Sequence, residues 1–151
     1  METELTKVIK KELLMRSQRT KGCYGAFEVT PMNTAYGAGY ERCDYVEFNT
    51  KSEITCYEIK ISVDDFKSKN KQTYLGDKNY LVIPDTMLMD VLNTHLLHSG
   101  IGIMTFDKTN LSFNVAKKCS KKTVGISERV ALLEGIARAS CRDMRKLMLK
   151  D

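Results

Sequence analysis

The sequence predicts an α/β protein, close to α+β, in which helices flank a mixed β-sheet within a single domain. Three observations support this fold class. Segments with β-favouring residues and amphipathic helical segments follow one another in the order αβββαβαββα. The hydrophobic fraction of 42% and the charged fraction of 28% are typical of a globular chain. The length is that of one domain, so we assign residues 1–151 to a single domain.

The first part of the chain is predicted to form a helix followed by an antiparallel meander. Residues 3–16 place leucine, valine and isoleucine at helical spacing between charged residues. Residues 23–30 read as a strand, and the segment 31–42, with one proline and two glycines, reads as a long loop. Strands over 42–49 and 53–61 then predict a β-hairpin.

The middle of the chain is predicted to contain a short helical turn and a buried strand. Ser62 is placed to cap a helical turn within the polar segment 63–72. The apolar segment KNYLVIP at 78–84 ends at Pro84 and is short and continuous, as strands buried on both faces are.

The last part of the chain is predicted to add a helix, a second hairpin and a final helix. The helix over 86–98 follows a cap at Asp85 or Thr86, and strands surround a turn at 108–110. Ser127 is expected to cap the final helix. The residues expected to face inward from the first of these helices are Leu88, Val91, Leu92 and Leu96. The apolar positions noted in the final helix are Val130, Leu133, Ile136 and Ala137.

The composition argues against several classes of protein. No apolar run approaches the roughly 20 residues that span a bilayer, and the charged start of the chain lacks the apolar block of a signal peptide. We therefore expect a cytoplasmic protein with no membrane partner. The five cysteines show no CxxC spacing, so we expect reduced thiols rather than a disulfide framework or a zinc cluster.

Basic and aromatic residues offer candidate contacts to nucleic acid. The formal charge is +5, and lysines cluster in the segment KKCSKK at 117–122. Such a patch suits a phosphate backbone, although composition alone favours a solvated surface. Two tyrosines in the long loop can stack on unpaired bases, or they are incidental residues of that loop. These candidates are Lys117, Lys118, Lys121, Lys122, Tyr36 and Tyr40.

Charged residues in the first hairpin suggest a site. Glu58 and Lys60 point to the same side of their strand, because side chains alternate along a strand. If the turn is centred on Lys51, Asp44 lies opposite Glu58, where like charges are destabilising. A divalent cation removes this repulsion, because Mg²⁺ prefers oxygen ligands. The alternative is a surface ion pair between Glu58 and Lys60.

The order of these residues resembles the PD-(D/E)XK nuclease superfamily, which has the restriction endonuclease-like fold. Asp44 is followed, after a hairpin turn, by Glu58-Ile59-Lys60, and Cys43 stands where the family's name has proline. The resemblance extends to an MmcB-like DNA-repair branch found in bacterial and phage proteins. It covers about residues 5–107, with 111–149 as a looser extension. The further matching residues are Glu28-Val29, Arg42, Asp65-Phe66 and Val82-Ile83-Pro84.

This resemblance implies a Mg²⁺- or Mn²⁺-dependent endonuclease that hydrolyses phosphodiester bonds of nucleic acid, with DNA as the expected substrate. Asp44, Glu58 and the backbone carbonyl of Ile59 would hold the metal ion. Lys60 would orient or deprotonate the attacking water and steady the charge on the phosphate. The accessory candidates are Glu12, Glu28 and Gln72.

Several alternatives stay open at this point. Glu28 is equally well explained as a residue at a strand edge that pairs with Arg42 or a lysine. The whole chain could also be a catalytically silent nucleic-acid-binding module, or a phage accessory protein on the same fold. With one site per chain, cleavage of a duplex would need a homodimer or two successive nicks.

Overall fold

The structure is a computed structural model that describes residues 2–31, 42–68 and 74–150. Within this part of the chain there are four α-helices and six strands in one sheet. The helices are α1 (Glu4–Arg19), α2 (Val63–Lys67), α3 (Leu88–Thr94) and α4 (Ile126–Met148). The strands are β1 (Cys23–Val29), β2 (Cys43–Asn49), β3 (Ile54–Ile59), β4 (Lys78–Pro84), β5 (Gly102–Asp107) and β6 (Ser112–Lys117).

The sheet is mixed, and its spatial order β1–β2–β3–β4–β5–β6 is the order of the strands in the chain. Neighbours are antiparallel from β1 to β3 and between β5 and β6, whereas β3, β4 and β5 are parallel. Helices connect the parallel strands, as parallel pairing requires. The predicted mixed sheet and the predicted order of elements are confirmed, with a 3₁₀ turn at Asp85–Met87 added before α3.

Helices cover both faces of the sheet. On the first face, Ile9 and Leu13 of α1 pack on tyrosine, valine and phenylalanine side chains of the central strands. On the second face, Leu132 and Ile136 of α4 pack over β1, β2 and β3. Phe66, together with α3, covers β4 and β5 on that second face. Each large apolar side chain buried in this way contributes about 1.5–3 kcal/mol.

Two of the predicted helix starts have different outcomes. Ser62 caps α2 as expected, and its hydroxyl accepts the N–H of Asp65 at 3.1 Å. Ser127 does not cap α4, because the helix begins one residue earlier and Gly125 takes the cap position without a side-chain bond. Ser127 therefore lies inside the first turn.

The helix predicted over 86–98 is shorter than expected. It ends at Thr94, because His95 adopts a left-handed conformation with φ of 56°. Leu96 therefore lies beyond the helix and is exposed, and Leu92 is exposed as well. The expectation that these two leucines face inward is wrong, whereas Val91 is buried as predicted.

Candidate active site

The β2–β3 hairpin has the register that the sequence predicted. Tyr45 pairs with Tyr57 and Val46 pairs with Cys56, and the paired residues end one position before Asp44 and Glu58. At this point the carboxylate of Asp44 accepts the backbone N–H of Ile59 at 2.7 Å. This bond ties the Asp44 side chain to the end of β3.

Asp44 and Glu58 bring their carboxyl groups together at the end of the hairpin. Their side chains hydrogen bond to each other, and Glu58 is only 4% exposed. Burial raises the pKa of Asp44, and the charge of Glu28 raises it further, against the lowering effects of the Ile59 N–H and of Glu58. A cation close to such a pair favours the ionised form of both carboxyl groups.

Glu28 extends the pair into a row of three acids across β1, β2 and β3. The β1–β2 register, with Phe27 opposite Tyr45 and Val29 opposite Cys43, places Glu28 level with Asp44. Glu28 itself has a φ of 52°, the left-handed conformation that costs a residue with a side chain of its size about 1–3 kcal/mol. Such strain is concentrated at functional sites.

Two cations neutralise Glu28. The ammonium of Lys10 lies 2.8 Å from Oε1, and Nε of Arg42 lies 3.6 Å from Oε2. Lys10 also bonds to Glu2 at 2.5 Å. Of the two interpretations of Glu28, the one with ion pairs to Arg42 and to a lysine is present in the structure.

Lys60 follows Glu58 by two residues, and its ion pair is with Asp65. Its backbone N–H bonds to the carbonyl of Val82 at 3.0 Å, which extends the β3–β4 ladder. Its ammonium lies 3.8 Å from Asp65, and the side chain is 12% exposed. Glu58 is buried, so it is not the surface residue that the alternative of an ion pair with Lys60 requires.

A cavity of about 410 Å³ opens between the start of α1 and the end of the hairpin. The sheet contributes Glu28 from β1, Asp44 from β2 and Ile59 from β3, and Ser62 and Asp65 follow after β3. Glu58 and Lys60 are not among the residues that line this cavity. The helix side is polar and consists of Glu2, Thr3, Thr6 and Lys10.

Glu12 is not among the residues that line this cavity. It lies two positions after Lys10, which is about 200° around the helix, and it is half-buried. Glu12 therefore lies on a different side of α1 from Lys10, the residue that reaches Glu28. The accessory role expected for Glu12 has no support in this geometry.

Three residues that line the cavity, Lys10, Thr6 and Glu2, were not predicted from the sequence. A signal for two of them exists, because Thr3, Thr6 and Lys10 are spaced three and four residues apart on one side of α1. The pattern could not show which strand this polar side meets.

The lysines of the segment 117–122 lie at the other end of the sheet. The ammonium of Lys121 lies 2.5 Å from Glu53, just before β3 begins, and this bond is the main cause that lowers the pKa of Glu53 to about 2. Lys122 donates to the carbonyl of Tyr74 at 3.2 Å. Lys117 pairs with Ile103 at the start of β5.

The structure therefore separates these lysines from the acids. Glu53 lies just before β3, and Glu58 lies five residues further along, near the end of β3, which is about 17 Å away in an extended chain. Lys118 is exposed on the same segment as its neighbours. One phosphate group cannot contact both ends. Three other predicted residues, Tyr36, Tyr40 and Gln72, lie outside the described residues.

The fit of a divalent ion depends on Asp44 and Glu58. The described residues contain no group of three or more His, Cys, Asp or Glu side chains arranged to hold a metal ion. Mg²⁺ keeps most of its waters and often uses only one or two carboxylates. The carboxyl groups of Asp44 and Glu58 supply that number of ligands. All five cysteines are free, and burial raises the pKa of Cys43 well above its ordinary value.

The fold and the site define a class: an open, mixed six-stranded sheet with helices on both faces and two neighbouring acids, Asp44 and the buried Glu58, at the end of the β2–β3 hairpin. No family model matches the chain, and no curated protein matches it. A solved structure with a similar fold is the SPO1766 protein of unknown function from Silicibacter pomeroyi, with a TM-score of 0.74. The alignment covers 98% of this chain and 94% of that one at 20% identity, a level of similarity that shows a shared fold. Among the described helices, none is long and apolar enough to cross a membrane.

Proposed function

We propose that this protein is a metal-dependent endonuclease that hydrolyses phosphodiester bonds of nucleic acid, with DNA as the substrate. The observation that carries the proposal is the contact between the carboxyl groups of Asp44 and Glu58. Directly opposed acids destabilise a hairpin, and burial of one of them increases that cost. Local choices that oppose stability are expected at functional sites.

The residues around the pair support a division of roles. Asp44, Glu58 and the carbonyl of Ile59 would hold Mg²⁺ or Mn²⁺, which when bound lowers the pKa of water and polarises a phosphoryl oxygen. The Ile59 N–H keeps the Asp44 carboxylate in position. Lys60, held near Asp65, would orient or deprotonate the attacking water and stabilise the charge that develops on the phosphate.

Cleavage of a supercoiled plasmid and of a single-stranded oligonucleotide tests the proposal. Reactions contain Mg²⁺, Mn²⁺ or EDTA, and compare the wild type with Glu58→Gln and Lys60→Ala. Matched controls are Asp90→Asn and Lys108→Ala, since both residues are exposed and lie away from the acids. We expect metal-dependent cleavage that falls at least about 100-fold in the two site variants only. Cleavage that is equal in all five proteins would show that the site is assigned wrongly.

A second candidate is a nucleic-acid-binding module that does not cut. Lys10 favours it, because its ammonium already provides a positive charge beside the acids and helps to stabilise them without a metal. Calorimetry separates the two functions. DNA binding that weakens with salt, without Mg²⁺ binding, would support the module. Absence of DNA binding at any salt concentration would leave the role of a phage accessory protein.

A further inference from the structure

Helix α4 is apolar on two opposite sides. One side packs on the second face of the sheet, where Leu132 and Ile136 are buried. The other side carries large apolar residues in solvent, including Ile126 and Leu147, which are 82% and 77% exposed. A helix that covers a sheet needs only one apolar side, so the second one requires its own explanation.

The exposed residues follow a regular spacing. Positions 126, 130, 133, 137, 140, 144 and 147 carry I, V, L, A, S, M and L, and all seven are exposed. Their separations alternate between four and three residues, which is the spacing of the contact positions in a helix pair. The spacing continues for three heptads along one side of α4. We call these seven residues the outer stripe.

The size of the outer stripe indicates a weak, reversible contact. The helix has 23 residues. It is therefore about 35 Å long, and a strip about 10 Å wide covers about 350 Å². A stable interface typically uses about 800 Å² on each partner. A surface of this size therefore supports association that depends on protein concentration.

The arrangement within the outer stripe is self-complementary. Its large residues lie toward the two ends, and the small residues Ala137 and Ser140 lie near the middle. Two copies that cross in opposite directions at Ala137 bring their backbones close at the small residues. Val130 of each copy then lies beside Met144 of the other. Such a two-fold contact uses the same surface on both chains.

We propose that the outer stripe binds the outer stripe of a second copy of this chain, in antiparallel orientation, to form a homodimer. This proposal does not rest on the proposed nuclease function. It rests on the exposure and spacing of the residues along α4.

Sedimentation equilibrium over a micromolar to millimolar range of protein concentration tests the proposal. We expect the wild type to approach twice its monomer mass of 17.2 kDa. Val130→Glu and Met144→Glu should remain monomeric. Val115→Glu on β6 is the control, because this valine is 48% exposed and Val130 is 57% exposed. Circular dichroism confirms that each variant is folded, and Ile126→Ser and Leu147→Ser replace any that is not.

The outcomes are decisive in both directions. A wild type that is monomeric over the whole range, or a dimer that survives both stripe variants, would overturn the proposal. Mixing Val130→Glu with Met144→Lys should restore dimers, since these positions face each other in the antiparallel pair. Restoration only by mixing Val130→Glu with Val130→Lys would mean a parallel pair and would overturn the proposed orientation.

Discussion

The ammonium of Lys10 lies 2.8 Å from the carboxylate of Glu28, and its charge opposes the burial that raises the pKa of Asp44. The lysine thus lies beside Glu28 and close to Asp44, one of the two acids that we propose to hold a metal ion. A cation in this position stabilises the acids when no metal is bound and opposes a metal ion that enters. This dual effect leads to a test that separates Lys10 from the metal ligands.

We expect Lys10→Gln to bind Mg²⁺ more tightly than the wild type. Removal of one nearby positive charge favours a divalent cation by on the order of 1 kcal/mol, or about fivefold in affinity. Titration calorimetry measures the change. The control is Lys7→Gln, because Lys7 pairs with Glu4 on the exposed side of α1. Equal or weaker Mg²⁺ binding in Lys10→Gln would contradict the assignment of the acids.

Asp44→Asn is expected to stabilise the metal-free protein at neutral pH by about 1 kcal/mol, which raises the Tm by about 2–4 °C. The pKa of Asp44 is raised in the folded state, chiefly by burial. The folded state therefore binds the proton more tightly, and wild-type stability falls as the pH rises through this raised pKa. Denaturant unfolding in EDTA at pH 5 and pH 8 measures the effect. A variant with the same pH dependence as the wild type would contradict it.

Mg²⁺ should stabilise the wild type and not the site variants. A ligand that binds only the folded state adds about 2.7 kcal/mol at 100 times its dissociation constant. We expect thermal unfolding of the wild type to shift upward with Mg²⁺ and to return with EDTA. Asp44→Asn and Glu58→Gln should lose the shift, and Asp90→Asn should keep it. A shift retained in both site variants would place the ion elsewhere.

Arg129→Met is expected to destabilise the protein by about 3 kcal/mol, because it leaves a buried carboxylate without its cation. The carboxylate of Asp77 accepts hydrogen bonds from both terminal nitrogens of Arg129, at 2.9 and 3.2 Å. It also accepts hydrogen bonds from the backbone N–H groups of Ile54 and Val124. Denaturant unfolding measures the loss, with Arg138→Met as the exposed control. A loss no larger than in the control would show that the other bonds of Asp77 suffice.

The carboxylate of Asp77 should also make the stability of the folded protein depend on pH in the acid range. Burial alone would raise the pKa of Asp77, but the bonds from Arg129 and the backbone lower it below its ordinary value. Its contribution is therefore present above the unfolded pKa and is lost as the pH falls through the lowered value. We expect Asp77→Asn to flatten this part of the stability curve between about pH 4 and pH 2, as measured by denaturant unfolding. A variant whose stability falls with acid as steeply as that of the wild type would contradict this prediction.

Local patterns predicted much of the fold. The cap at Ser62 and the register of the β2–β3 hairpin follow from residues close together in the chain, whose backbone geometry leaves few alternatives. The end of α3 was not predictable in this way. The conformation of His95 stops the helix where the apolar pattern would have continued.

The sequence by itself determined the register of the β2–β3 hairpin that carries Asp44 and Glu58, because a tight hairpin sets its own register. Only the tertiary structure decided what surrounds them. Lys10 reaches Glu28 across 18 residues, and the lysines of 117–122 lie at the far end of the sheet. These positions depend on how α1 and the last strands pack on the sheet. Periodicity shows which side of an element is buried, but not which partner it meets or in which direction.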